Sequence, residues 1–131
     1  MNLLTLADVP PVEVDVTATV GNAVDAALEA RVGAVAVVEN GRLVGIFTER
    51  DVMTKIVKAR LDPDKTPLRQ VMSSPVWTVP ATMPVQDALK LMNDRHVRHL
   101  IVSSDGNVAQ GILSLRNVMQ YMLDYLQKNL R

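Results

Sequence analysis

The chain has 131 residues, 48% hydrophobic and 21% charged, the balance of one globular body that buries roughly two-thirds of its unfolded surface. Lys plus Arg and Asp plus Glu each number 14, so no net charge gathers nucleic acid or a membrane surface. With no cysteine, disulfides and thiolate metal sites are excluded.

The segment MNLLTLADVPP lacks a basic stretch followed by a long apolar run, so it does not read as a signal peptide. No apolar run approaches the roughly 20 residues needed to span a bilayer, and a cytoplasmic location is the default expectation. A short strand is predicted over Val12–Val16, followed by Thr17, whose hydroxyl either caps the next helix or closes the preceding turn. Val20, Ala23, Val24, Ala27 and Leu28 carry helical spacing and predict a helix over Val20–Arg31. The run Ala34–Val38 reads as a strand, Glu39-Asn40-Gly41 as a turn and Leu43–Phe47 as a second strand, with a helix from near Glu49. Arg60 to Pro67 is a polar, Pro-punctuated linker, and Leu68–Met72 one helical turn. The order then recurs: strand Val76–Val79, Thr82, helix Val85–Arg95, strand Leu100–Val102, turn Ser104 to Asn107, strand Val108–Leu113 and a helix from Leu115 with Val118, Met119, Met122, Leu123 and Leu126 on one face.

The recurrence extends to single residues. Val14/Val79, Thr17/Thr82, Val20/Val85, Ala23/Ala88, Val32/Val97 and Val37/Val102 match at a shift of 65. After one insertion near Gln110 the shift is 66, aligning Gly45/Gly111, Ile46/Ile112, Arg50/Arg116, Val52/Val118 and Met53/Met119. The chain is therefore a tandem α/β (α+β) repeat, β-α-β-β-α twice, with residues 1–60 as the first copy, 61–73 as linker and short helix, and 74–131 as the second. A copy of about 45 residues buries little core alone. Pseudo-twofold copies packed sheet to sheet are expected, with a cleft between them presented twice.

One motif carries chemistry. Gly45-Ile46-Phe47-Thr48-Glu49-Arg50-Asp51 recurs as Gly111-Ile112-Leu113-Ser114-Leu115-Arg116-Asn117, a strand ending on a hydroxyl residue that opens a helix, with Asp or Asn three residues on. Helix N-termini favour phosphate or carboxylate. Thr48 or Ser114 can donate to the same anion, Arg50 or Arg116 can add charge, and a carboxylate at Asp51 can accept from both hydroxyls of a ribose. The same spacing is also an ordinary helix cap, and duplication does not decide between the two, since it copies caps as well.

These paired patterns, with the stretches GIFTERDVMTKIV, VMSSPVWTV and DRHVRHLIV…GILSLRNVM, closely resemble the cystathionine-β-synthase (CBS) domain family, over roughly residues 7–126, and small stand-alone CBS-pair proteins especially. The resemblance implies a Bateman module, in which paired CBS domains bind AMP, ADP, ATP, sometimes NAD or S-adenosylmethionine, as regulatory ligands, and in which modules form flat homodimers. It implies a first site with Asp51 on the ribose, Thr48 and Arg50 beside phosphate and Ile46 under the base, completed by Pro75, Val76, Val97 and Arg98 from the other copy. It implies a second site of Ile112, Ser114, Arg116 and Asn117 facing Pro10, Pro11, Val32 and Gly33. Asn117 departs from the family's aspartate and loses a charge-assisted bond, so the second site is expected to be the weaker and one site per chain to be occupied.

The remaining features have competing readings. Arg95-His96-Val97-Arg98-His99 is either a phosphate rim or a solvated helix end, and two histidines three apart lack acidic partners at metal-ligand spacing, so no metal is expected. Met53, Met72, Met92, Met119 and Met122 read as core filler, and Trp77 as a base stacker, a buried strand residue or a dimer contact. Tyr121, Leu123, Tyr125 and Leu126 give the last helix apolar surface suited to dimerisation. No G-x-S-x-G elbow or phosphate loop is present and no catalytic set emerges, so an enzyme is not expected. The expected function is a regulatory adenine-nucleotide sensor; the alternative is a constitutive dimerisation scaffold with vestigial clefts.

Overall fold

The computed structural model describes residues 2–129. They form two compact units. One is Pro11–Val76; the other joins the described residues up to Pro10 with those from Trp77 onward. Each is a mixed α/β body built around a three-stranded sheet.

In the first unit, β1 (Glu13–Asp15) runs parallel to β2 (Ala34–Glu39), which pairs antiparallel with β3 (Arg42–Thr48). The β2–β3 hairpin turns through Asn40 and Gly41, both at positive φ (53° and 78°), the backbone that Asn-Gly adopts at low steric cost. Thr17 closes the turn after β1, its N–H and hydroxyl donating to the Asp15 carboxylate. The cap of helix α1 (Val20–Ala30) is Thr19, in a reciprocal capping box with Asn22. Val16, Val20, Ala23, Val35, Val37, Phe47, Ile56, Leu68 and Val71 form the core. Leu28, expected on the buried stripe, is instead 71% exposed. The helix after β3 begins as α2 (Glu49–Asp51) and continues as a π-helical turn, Val52–Val57, before α3 (Leu68–Val71).

In the second unit, β4 (Thr78–Val79) lies parallel to β5 (His99–Val102), which pairs antiparallel with β6 (Gly111–Ser114). Helix α4 (Val85–Arg95) precedes β5, and α5 (Leu115–Asn129) follows β6. The predicted strand from Val108 begins three residues later, at Gly111. The Val108 carbonyl accepts from the Ser103 hydroxyl and its N–H donates to Asp105, so its backbone is committed to the loop. Trp77 stays outside β4 and is 64% exposed, with the Arg95 guanidinium 3.9 Å from its ring centroid, which sets aside the buried-strand reading.

Residues 2–10 belong to this unit. Leu3 is fully buried with Val79, Ala88, Met92, Leu100, Val102, Leu113 and Val118, and its N–H donates to the Ala81 carbonyl at 2.9 Å. Asp8 and Ile112 exchange both backbone bonds, at 3.0 and 3.2 Å. The first unit repeats this with Ser73 and Ile46, at 2.9 and 3.1 Å. Glycine permits each approach: a Cβ at Gly111 would lie 3.1 Å from both Leu4 and Val9 side chains, and one at Gly45 would strike Met72.

The methionines divide. Met92 is buried and Met72 packs against the first core, as expected, whereas Met53, Met119 and Met122 are 69%, 55% and 45% exposed in this chain. Among the described residues no helix is long and apolar enough to cross a membrane.

Candidate functional site

The strand–helix junctions at Thr48 and Ser114 are built alike. The Thr48 N–H donates to Asp51 Oδ2 at 3.0 Å, and the Asp51 N–H to Thr48 Oγ1 at 3.3 Å. The Ser114 N–H donates to Asn117 Oδ1 at 2.8 Å, and the Asn117 N–H to Ser114 Oγ at 3.0 Å. Both copies are therefore complete capping boxes, and the polar side chains at 51 and 117 do the same structural work. They differ by one charge. That charge is largely withdrawn from solvent, since Asp51 is 8% exposed.

Lys55, one turn further on, lies 3.4 Å from Asp51 Oδ1. Its ammonium also donates to the Val71 carbonyl at 2.8 Å and the Ser73 hydroxyl at 3.2 Å. It thus ties the Asp51 carboxylate to the segment that leads into Pro75 and Val76. The signal was in the sequence as an Asp–Lys pair at i,i+4 spacing. Its distant partners were not, because they come through the Ser73–Ile46 bridge, which no local pattern announces.

Glu49 is the second missed residue. Its N–H donates to the Gly33 carbonyl at 3.0 Å, and its carboxylate lies over Gly33 where a Cβ would collide with it. In the second unit the Leu115 N–H donates to the Arg98 carbonyl at 2.8 Å. Positions 33 and 98, and 49 and 115, are therefore structural equivalents with different charges.

The expected site residues sort by unit. Ile46, Thr48, Arg50 and Asp51 share a unit with Pro75 and Val76, and also with Pro11, Val32 and Gly33. Ile112, Ser114, Arg116 and Asn117 share the other with Pro10, Val97 and Arg98. Pro75 and Val76, expected from the other copy, thus fall in the Asp51 unit, two residues after Ser73. Pro10 likewise follows Asp8, the partner of Ile112. In the basic cluster, Arg95 is stacked on Trp77, His96 ends α4 in the left-handed conformation (φ 54°), and His99 pairs with Ser114 in the sheet.

Two further features bear on chemistry. A groove of about 500 Å³ lies on the second unit, lined by Val85 and Leu89 of α4 and by Val118, Tyr121 and Met122 of α5. None of the expected site residues lines it. Among the described residues no group of three or more His, Asp and Glu side chains is placed to hold a metal ion.

The model of the CBS domain matches residues 6–58 and again 68–124. An uncharacterized protein of Methanopyrus kandleri is 38% identical over 90 residues, 68% of this chain and 46% of that protein. The chain thus spans about half the length of that relative. A CBS domain protein from Pyrobaculum aerophilum, solved in complex with AMP, has a TM-score of 0.79 and 28% identity, with 95% of this chain and 99% of that one covered. A CBS domain pair solved with 5′-methylthioadenosine and S-adenosyl-L-methionine has a TM-score of 0.84 at 17% identity, covering 95% of this chain and 98% of that one. With the repeat, the fold and both matched segments in agreement, the chain belongs to the CBS domain family and carries a CBS pair.

Proposed function

We propose that this CBS pair is a regulatory module that binds an adenine nucleotide or related adenosyl ligand and signals by conformational change. The observation that carries the reading is the Asp51 carboxylate, nearly buried yet held at the edge of a strand–helix junction by Thr48 and Lys55. A helix cap needs only a polar acceptor there, and Asn117 supplies the cap with no charge. A charge retained where a neutral group suffices is suited to two vicinal hydroxyls. The AMP complex of the Pyrobaculum aerophilum relative supports the ligand class.

In this reading the stronger site comprises Ile46, Thr48, Arg50, Asp51, Pro75 and Val76 with Val97 and Arg98. The weaker one comprises Ile112, Ser114, Arg116 and Asn117 with Pro10, Pro11, Val32 and Gly33. Ligand shifts a pre-existing equilibrium by no more than its differential affinity for the two states. This reading assigns the module a regulatory role and no catalytic one. A homodimer is the assembly, for which the exposed apolar face of α5 is suited.

The exposed face of α5 equally favours a second reading, a scaffold whose clefts are vestigial. Thermal unfolding separates the two. At 100 times its dissociation constant a ligand stabilises the folded state by about 2.7 kcal/mol. A rise in melting temperature with AMP, ADP, ATP or S-adenosylmethionine supports the sensor; no rise with any of them supports the scaffold.

A further inference from the structure

We propose that the groove between α4 and α5 is a docking site for a short peptide turn of a partner protein, one that presents two backbone carbonyls and an aliphatic side chain. The corresponding place in the first unit shows what such an occupant looks like.

Groove residues Val85, Gln86 and Leu89 match Val20, Gly21 and Val24 at the shift of 65, and Val118 and Met122 match Val52 and Ile56 at the shift of 66. In the first unit the chain itself, residues 61–66, covers this place. The Thr66 carbonyl accepts from the Val20 N–H and the Pro63 carbonyl from the Gly21 N–H, both at 2.9 Å. Leu61 packs against the core that holds Val20 and Ile56. The turn is closed from within, for Asp62 accepts from the Asp64 and Lys65 N–H groups and from the Thr66 hydroxyl.

In the second unit the same walls stand open. Pro84 caps α4 without a side-chain bond, and among the described residues no acceptor meets the Val85 or Gln86 N–H. Met122 is 45% exposed where Ile56 is 3% exposed. The groove of about 500 Å³ therefore sets two unmet donors, at the positive end of a helix, beside an apolar wall. Carbonyls and an aliphatic side chain complement both. Gln86 adds a restriction: a Cβ at its equivalent, Gly21, would lie 2.5 Å from Asp64 Oδ1, so the partner turn carries no acid at that position.

Nitrogen-15 NMR titration of the full chain with an end-capped peptide of residues 61–67 carrying Asp64→Ala tests this, with a scrambled peptide alongside. Val85→Pro removes one donor at the first helical position, where proline fits, and Met122→Glu charges the exposed wall. Saturable shifts are expected at Gln86, Leu89 and Met122 with the ordered peptide only. Affinity should fall about 2- to 10-fold in Val85→Pro, the loss of one neutral hydrogen bond, and should fall in Met122→Glu as well. No saturable shift at these residues, equal shifts with the scrambled peptide, or undiminished affinity in either variant overturns the proposal. Signals from the same residues that move on dilution of the protein alone identify a second copy in the groove and overturn it too.

Discussion

At the residue scale, a sequence motif and a helix cap are the same atoms here. Thr48 and Asp51 close a capping box, as do Ser114 and Asn117, so the T-x-x-D spacing alone does not separate ligand binding from helix initiation. The internal repeat shows that asparagine caps as well, so the cap alone does not require a charge at position 51. Asp51→Asn is therefore the conservative probe, removing charge while keeping an acceptor for the Thr48 N–H. Two other aspartates are held in loops by their charge. Asp105 lies below its usual pKa of 3.8 because the Asn107 and Val108 N–H groups donate to it. Asp15 is lowered chiefly by the Thr17 hydroxyl and N–H. A carboxylate whose pKa falls on folding stabilises the fold fully above its unfolded pKa, and the contribution is lost as pH falls through the folded value. Acidification from pH 5 should leave both loops intact until below the ordinary carboxylate range. Carbon-13 titration of the two carboxyls should place both midpoints under 3.8. Midpoints at or above that value would contradict the loop bonding.

At the element scale, most of the fold was legible. Hydrophobic spacing of three and four located α1 and α4, and Asn40-Gly41 located the first hairpin, because each signal is local. What was not legible depended on partners distant in sequence. Strand β6 starts late because Ser103 and Asp105 claim Val108. Leu3 lies in the second core because Asp8 bridges to Ile112 across more than 100 residues of chain. The same holds at the site: Thr48, Asp51 and their counterparts were found from spacing, whereas Lys55 and Glu49 acquired meaning only through Val71, Ser73 and Gly33. Since Leu3 is fully buried, Leu3→Ala should destabilise the second unit by about 2–4 kcal/mol, the range for a leucine cavity. Urea unfolding monitored at Trp77 reads this directly. A change within about 0.5 kcal/mol, typical of a surface substitution, would show that the first residues are not part of that core.

At the scale of the whole molecule, duplication has produced two junctions with one backbone design and different charges. In the first, Glu49, Asp51 and Lys55 are all ionic; in the second, Leu115, Asn117 and Tyr121 are all neutral and Arg98 is added. Helix α5 adds an apolar surface, with Met119, Leu123, Tyr125 and Leu126 each between 44% and 56% exposed. A surface of this kind is suited to a second copy of the chain. Light scattering should return twice the 14.4 kDa chain mass, and Leu123→Glu with Tyr125→Glu should return the single mass with circular dichroism unchanged. A wild-type monomer would remove the dimer from the account.

The central claim is that the Asp51 charge, not the cap it shares with Asn117, makes one adenosyl site per chain. Titration of AMP into wild type, Asp51→Asn and Asn117→Asp tests it most directly. The account predicts a stoichiometry near one in the wild type. Affinity should fall about 10- to 150-fold in Asp51→Asn, the equivalent of 1.5–3 kcal/mol for a bond to a charged group. Stoichiometry should rise toward two in Asn117→Asp. Wild-type affinity in Asp51→Asn would contradict the account, leaving Asp51 as a helix cap and nothing more.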